Sequence, residues 1–362
     1  MGGGDRVCAI YARQLIDRGH NVNVVAPKTK PLTIRQQLKR IFSGNGWLPL
    51  AKKMQNHFAL LGINVTYLDA TRPVTGNDLP DADAVVATWW ETAEWVAELP
   101  DSKGAKTYFI QHHEIHKYQP VERVKRTYSL PLHKITISNW LLHLMQDTYQ
   151  DPFVSLVPNS VDFNVFFASP RKKQTAPTLG FLYAESEFKG VDTALKVIER
   201  VKMHMPELRV LCFGRKKPNK NVLPNYFEGE YNPQQEDLRK IYGQCDVWLC
   251  CSINEGFGLT ILEAMACRCP SVSTKSGGPE DIIEQGENGF LCEVNDVNNL
   301  AASVIQVLEM SDQEWLALSN AALARATRYS WQDATDLFEQ ALNHVIMKNT
   351  MNARGEEMLE IN

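Results

Sequence analysis

Glu255-Gly256-Phe257-Gly258-Leu259-Thr260-Ile261-Leu262-Glu263-Ala264-Met265-Ala266 follows the apolar run Val247–Cys250 after a short turn. Four apolar residues bounded by a turn read as a buried strand, and the stretch after Gly258 reads as a helix. Gly256 and Gly258 let the backbone come close to a ligand. A helix opening there presents unpaired N–H groups, which favour an anion. The two carboxylates are eight residues apart, so Glu255 in the turn and Glu263 in the helix can reach two parts of one ligand. A plainer assignment makes Glu263 a solvent-facing helix residue and Glu255 a first-turn acid. Against it, Glu263 sits among Ile261, Leu262, Ala264, Met265 and Ala266, where a buried carboxylate needs a partner.

Outward from this stretch, strand-like and helix-like segments alternate twice over, which predicts parallel sheets covered by helices on both faces. In the second half, strands are expected at 178–182, 208–213, 247–250 and 271–273, with helices at 191–204, 234–244, 258–267, 298–308 and 312–328. A last helix runs from Trp331 to about 347, before a polar tail, 349–362, that reads as frayed. In the first half, Cys8, Tyr11, Ala12 and Leu15 recur at helical spacing after Gly2-Gly3-Gly4, and strands are expected at 22–25, 63–68, 84–87, 107–110, 135–137 and 154–157. Residues 163–177 carry prolines and charges without periodicity and read as a linker. The expected domains are therefore 1–165 and 166–330, with the helix at about 331–348 packing back onto the first. A doubly wound domain opens with a strand that feeds its glycine turn. Here Met1 stands directly before the glycines, so the natural chain is expected to begin upstream, with that first strand.

The 362 residues fit two domains, and 38 basic against 42 acidic residues argue against a dedicated nucleic-acid binder. The eight cysteines form no C-x-x-C pair and lie mostly in apolar stretches, which suits buried free thiols in a reducing compartment. No apolar run approaches the roughly 18 residues of a membrane span, and no signal peptide is evident. The expected location is cytoplasmic. The segment 28–53 holds seven basic residues and no acidic one, interleaved with Leu32, Ile34, Leu38, Ile41, Phe42 and Trp47. It suits peripheral contact with an anionic membrane, or a solvated mobile loop.

The run Glu255 to Glu263 resembles the E-x(7)-E signature of retaining GT-B glycosyltransferases, in particular glycosyltransferase family four. Neighbouring motifs agree in order and spacing: Val157-Pro158-Asn159-Ser160-Val161-Asp162, Phe188-Lys189-Gly190 with Asp192, Phe227-Glu228-Gly229, Ser276-Gly277-Gly278-Pro279-Glu280-Asp281 and Asn288-Gly289-Phe290-Leu291. The likeness covers nearly all of 157–345, and the first half matches in layout. It implies an α/β, GT-B fold of two doubly wound Rossmann-like domains facing across a cleft. It also implies transfer of a hexose from a nucleotide-sugar donor, used as a substrate without cofactor or metal, to a glycan or lipid-linked acceptor, as in polysaccharide or glycoconjugate synthesis.

Residue by residue, the resemblance implies that Lys189 neutralises the donor diphosphate and that Gly258 and Leu259 give it backbone N–H groups. Glu255 would contact the donor sugar and Glu263 the ribose. Gly214, Arg215 and Tyr231 would flank the base, and Gly3 and Gly4 would approach the diphosphate from the N-terminal side. His112, His113 and His116 follow the strand at 107–110; His113 best fits the family's catalytic histidine, with His112 second, and no acidic or thiol partner is spaced to make them a metal site. The family's usual arginine, about five residues before the lysine, is lacking in Tyr183-Ala184-Glu185-Ser186-Glu187, so Arg215 or Lys216 is expected to supply that charge. Two other functions share this layout: a nucleotide-sugar epimerase, and a non-catalytic module that binds a glycan or a partner enzyme. A dehydrogenase is disfavoured because no G-x-G-x-x-G follows a strand.

Overall fold

The computed structural model describes residues 3–28, 34, 35, 38, 56–218 and 222–354. The basic segment 28–53 lies almost wholly outside the described residues. The chain divides into two compact units, one of Met1–Ile110, Glu114–Ile135 and Thr335–Asn362, the other of Gln111–His113 and Thr136–Ala334. No described helix is long and apolar enough to cross a membrane.

In the first unit, α1 (Gly3–Asp17) buries Val7, Ala9, Tyr11, Ala12 and Leu15. Strands β1 (Val24–Ala26) and β2 (Val65–Tyr67) pair in parallel as a two-stranded sheet of their own. Strands β3 (Ala84–Ala87), β4 (Ala105–Ile110) and β5 (His133–Thr136) belong to a separate sheet, with β4 between the others. The C-terminal helix Trp331–Arg354 returns to this unit, where Phe338 stacks on Tyr11 at 4.5 Å and meets the edge of Phe109 at 5.3 Å. That helix continues through Asn349 to Arg354, past the point where the polar tail was expected to fray.

The second unit contains β6 (Val154–Leu156) and a six-stranded, all-parallel sheet. Its strands are β7 (Thr178–Tyr183), β8 (Arg209–Gly214), β9 (Phe227–Tyr231), β10 (Val247–Cys250), β11 (Ser271–Thr274) and β12 (Gly289–Cys292), in the order β12-β11-β10-β7-β8-β9. Leu179, Phe181 and Tyr183 alternate onto one face and pack with α2 (Val191–His204) in the main core cluster. On the other face Trp248 meets Phe213 and Tyr242, the last residue of α3 (Gln235–Tyr242). Helices α4 (Leu259–Ala266), α5 (Val297–Glu309) and α6 (Asp312–Thr327) complete the layers, α5 adding Leu300, Ala301 and Val304 to the core cluster.

The stretch expected as a linker is strapped to this unit. Arg171 lies over the Trp315 ring at 4.5 Å and reaches Asp246, while Lys173 donates to the Leu308 and Met310 carbonyls. Asp246 accepts from the backbone N–H groups of Gln174 and Thr178. These polar anchors hold a segment that has no apolar periodicity to bury, and residues 136–165 also group with the second unit.

Candidate functional site

Strand order reverses between β7 and β10: β8 and β9 lie to one side, β11 and β12 to the other. In open α/β sheets ligands bind at the C-terminal strand ends beside such a reversal. The turn after β7 carries Lys189 and the turn after β10 carries Glu255, so the topology alone brings them together.

Gly190 makes the approach close. Its φ is +62°, and a Cβ there would lie 1.8 Å from the Cys251 carbonyl oxygen. Ile253 N–H donates to the Phe188 carbonyl at 2.7 Å and binds the two turns together. Lys189 Nζ then stands 2.6 Å from Glu255 Oε2, and Ser252 Oγ donates to the same oxygen at 3.0 Å. Thr274 Oγ1 donates to the Ser252 carbonyl. The Glu255 backbone is clamped on both sides: its N–H donates to Ser276 at 2.8 Å and its carbonyl accepts from Gly278 at 3.0 Å. Lys189, Ser252, Glu255 and Thr260 line one small pocket, with Phe181 and Trp248 behind them.

The pair is a partly buried ion pair. Burial pushes the Glu255 carboxyl up, but the charge and hydrogen bond of Lys189 outweigh it and hold the group below its ordinary range. Burial pulls Lys189 down, and Glu255 more than restores it. Both groups are therefore charged at neutral pH. Removing either would leave the other buried and unpaired, which costs more than an exposed pair is worth. His112 stands beside them, its ring 5.5 Å from that of Phe188, with Nδ1 3.0 Å from the His113 carbonyl. Burial lowers its pKa despite the nearby Glu255 charge, so the imidazole is neutral at pH 7.

Helix α4 opens at Gly258, whose φ of +102° few other residues adopt, and among the described residues no side chain caps it. Its first-turn amides at Leu259 and Thr260 thus face the turn that carries Glu255. Glu263 is 3% exposed and accepts a hydrogen bond from Tyr242 at 2.9 Å. The partner that a carboxylate in this apolar helix demands is thus at least in part Tyr242, and Glu263 is not solvent-facing.

The remaining expected residues are distributed as follows. Gly214 ends β8, where a Cβ would meet the Tyr183 carbonyl at 2.6 Å, and Tyr231 ends β9 beside it. The Tyr231 hydroxyl is 4.0 Å from Cys212 Sγ, and burial pushes its pKa up to about 12. Arg215 follows β8 and is exposed. Lys216 is paired with Glu185 at 2.7 Å, so it neutralises one of the two acids that replace the basic residue in that turn. Gly3 and Gly4 open α1 in the first unit.

Two readings of the histidine loop change. His113 points to Tyr149, whose hydroxyl lies 2.9 Å from Nε2, and to Trp140; His112 is the ring beside Lys189 and Glu255. Glu114 was passed over as a partner for the histidines, yet its carboxylate is 3.7 Å from His116 Nε2. Ser252 was also missed; nothing in its residue type separates it from other loop serines.

Residues 162–325 match the family model described as glycosyl transferases group 1. That stretch is similar to the glycosyl transferases group 1 domain. Among curated proteins, the N-acetyl-alpha-D-glucosaminyl L-malate synthase of Bacillus anthracis is 40% identical over 76 residues, 21% of this chain and 20% of that protein. The D-inositol 3-phosphate glycosyltransferase of Corynebacterium kroppenstedtii is 28% identical over 186 residues, 46% of this chain and 41% of that protein. The chain thus matches well under two thirds of the length of these relatives. Among solved structures, Anabaena Alr3699/HepE in complex with UDP and glucose is similar with a TM-score of 0.69 at 16% identity, covering 95% of this chain and 96% of that one. Staphylococcus aureus TarM, in complex with fondaparinux, alpha-GlcNAc-glycerol and UDP, is similar with a TM-score of 0.63 at 16% identity over 72% of this chain and 55% of that one. These structural likenesses show a GT-B fold. The group 1 match ends short of the C-terminal helix Trp331–Arg354.

Proposed function

We propose that this chain is a retaining, metal-independent glycosyltransferase that moves a hexose from a nucleotide-sugar to a glycan or lipid-linked acceptor in surface polysaccharide or glycoconjugate synthesis. The observation that carries the reading is the Lys189–Glu255 pair, 2.6 Å apart in one pocket with the opening of α4. Breaking the bond to a nucleoside diphosphate leaves an oxocarbenium-like sugar and a growing negative charge on phosphate. Lys189 and the amides of Gly258 and Leu259 are preorganised cations and dipoles for that charge, each worth on the order of 3 kcal/mol. Glu255 would hold the sugar's hydroxyls with the oxygen that Lys189 and Ser252 do not share, and Glu263 the ribose. His112, neutral and beside the pair, takes the catalytic place expected of His113. With Lys216 bound to Glu185, Arg215 is the better candidate for the second cation, alongside Gly214 and Tyr231 at the base. That Anabaena Alr3699/HepE and Staphylococcus aureus TarM, similar in fold, bind UDP supports a uridine donor over other bases.

The location proposed is cytoplasmic, with peripheral membrane contact through 28–53. Liposome co-sedimentation unaffected by neutralising Arg35, Lys39 and Arg40 would remove that contact. The activity itself is tested by incubating the chain with UDP-, GDP- and dTDP-hexoses and an acceptor panel in the presence of EDTA. Release of nucleoside diphosphate with a new glycoside supports the reading. An altered free nucleotide-sugar would identify an epimerase, and saturable binding without turnover a non-catalytic module.

A further inference from the structure

The turn that carries Glu255 is gripped by side chains from a distant part of the chain. The Gly256 carbonyl accepts from Ser138 Oγ at 2.8 Å and from Trp140 Nε1 at 3.2 Å. Ser138 and Trp140 follow β5 and belong, with Gly256, to the second unit. Between them Asn139 is tied to Asp281, whose carboxylate accepts its backbone N–H at 2.6 Å and its side-chain amide at 3.3 Å. Ser138 is fully buried. The indole of Trp140 is wedged against Gly277, where φ is +106° and a Cβ would lie 2.5 Å from the ring. Gly277 stands between the two residues that clamp the Glu255 backbone, Ser276 and Gly278. The indole also meets the His113 ring edge-on at 6.5 Å, and a Cβ on Gly256 would lie 2.0 Å from the Gln111 carbonyl oxygen. Trp140 thus adjoins both the loop that clamps Glu255 and the loop that carries His112. Neither Trp140 nor Ser138 lines the pocket of Lys189, Ser252 and Glu255.

We infer that Trp140, together with Ser138, is a positioning residue for the proposed transfer: it fixes the Glu255 turn relative to His112, a role that rests on the glycosyltransferase reading. A carbonyl oxygen has two lone pairs, and two donors on one oxygen fix its direction as well as its place. Lys189 is held without Trp140, by the Ile253–Phe188 hydrogen bond and the close approach of Gly190 to the Cys251 carbonyl. Loss of the Trp140 donor is therefore expected to move Glu255 and to leave the cation for the diphosphate in place. Displacing an orienting group by about 1 Å costs about 10²-fold in rate. The indole N–H is a donor only, so a phenyl ring at this position keeps the wedge and loses the bond.

Trp140→Phe removes one bond to the Gly256 carbonyl and Ser138→Ala the other. Both are tested in the full chain with whichever UDP-, GDP- or dTDP-hexose the unaltered chain turns over. In each, kcat is expected to fall by about tenfold or more, while affinity for the free nucleoside diphosphate, measured by titration calorimetry, stays within about twofold. A defect in folding would lower both together. Glu255→Gln supplies a second readout. Because Trp140 acts through Glu255, adding Trp140→Phe to Glu255→Gln should lower kcat by no more than about twofold further, whereas independent effects multiply. Unchanged kcat in Trp140→Phe overturns the role. So does a parallel loss of kcat and diphosphate affinity in both single variants, or multiplying losses in the double variant. An unaltered chain that turns over no donor defeats the glycosyltransferase reading and this role with it; turnover intact in Trp140→Phe defeats this role alone.

Discussion

Lys189 and Glu255 are each other's counter-ion, so substituting one changes two things: the chemistry and the balance of a desolvated charge. Glu255→Gln keeps the shape and leaves Lys189 without its anion; Lys189→Ala leaves Glu255 buried with Ser252 as hydrogen-bond donor. Loss of one preorganised donor to a leaving phosphate is expected to lower kcat about 10²–10³-fold in Lys189→Ala. Nucleoside diphosphate release from a saturating donor measures this, and a circular-dichroism melt separates it from unfolding. Glu114 gives a prediction in pH. Its folded pKa of about 8 is above the ordinary value of 4.5, so the folded state binds the extra proton between those values. Stability therefore falls as pH rises from 4.5 to about 8, by up to about 1.4 kcal/mol for each pH unit. Glu114→Gln has no such proton to lose, so urea midpoints of the two forms should diverge in its favour between pH 5 and 8. Equal slopes with pH would contradict the assignment.

At the scale of elements, the turns β7–α2 and β10–α4 are where backbone geometry serves the site. Gly190→Ala would put a Cβ 1.8 Å from the Cys251 carbonyl at a positive φ. A backbone clash of that size forces the two turns apart and is expected to cost about 2–4 kcal/mol, read by urea unfolding. These turns were legible in the sequence because glycine, lysine and acid sit at the ends of strongly apolar strands, where residue type and position agree. Strand β10 and helix α2 fall where periodicity puts them. Strand β9 was not anticipated as a strand. Phe227-Glu228-Gly229-Glu230-Tyr231 exposes its three middle residues, and Arg209 on β8 binds Glu228 at 2.6 Å. An edge strand guarded by charge carries no apolar run to announce itself. The strap at 163–177 misled for the related reason that Arg171 and Lys173 anchor by hydrogen bonds, which leave no period in sequence. His112 and His113 are adjacent residues of one type in a loop, so only side-chain placement separates their surroundings.

At the scale of the whole molecule, the chain leaves the first unit, builds the second and returns with the helix Trp331–Arg354. The return is anchored in the first unit by an apolar centre and a charged rim. Phe338 fills the space between Tyr11 and Phe109, and Glu339 accepts from Arg18 and His20, each at 2.6 Å. The rim is exposed and salt-screened, so the aromatic contact holds most of the energy. Phe338→Ala removes a ring that touches two others and leaves a cavity lined by Tyr11 and Phe109. A loss of about 3–5 kcal/mol is expected for such a truncation. That loss belongs to the first unit, because none of these residues packs in the second unit's core. Amide exchange should therefore accelerate in α1 and β4 of the variant while β7, β8 and β10 keep their protection. Equal acceleration in both units would mean that they unfold as one, and unchanged exchange in α1 would mean that the helix is not what covers Tyr11.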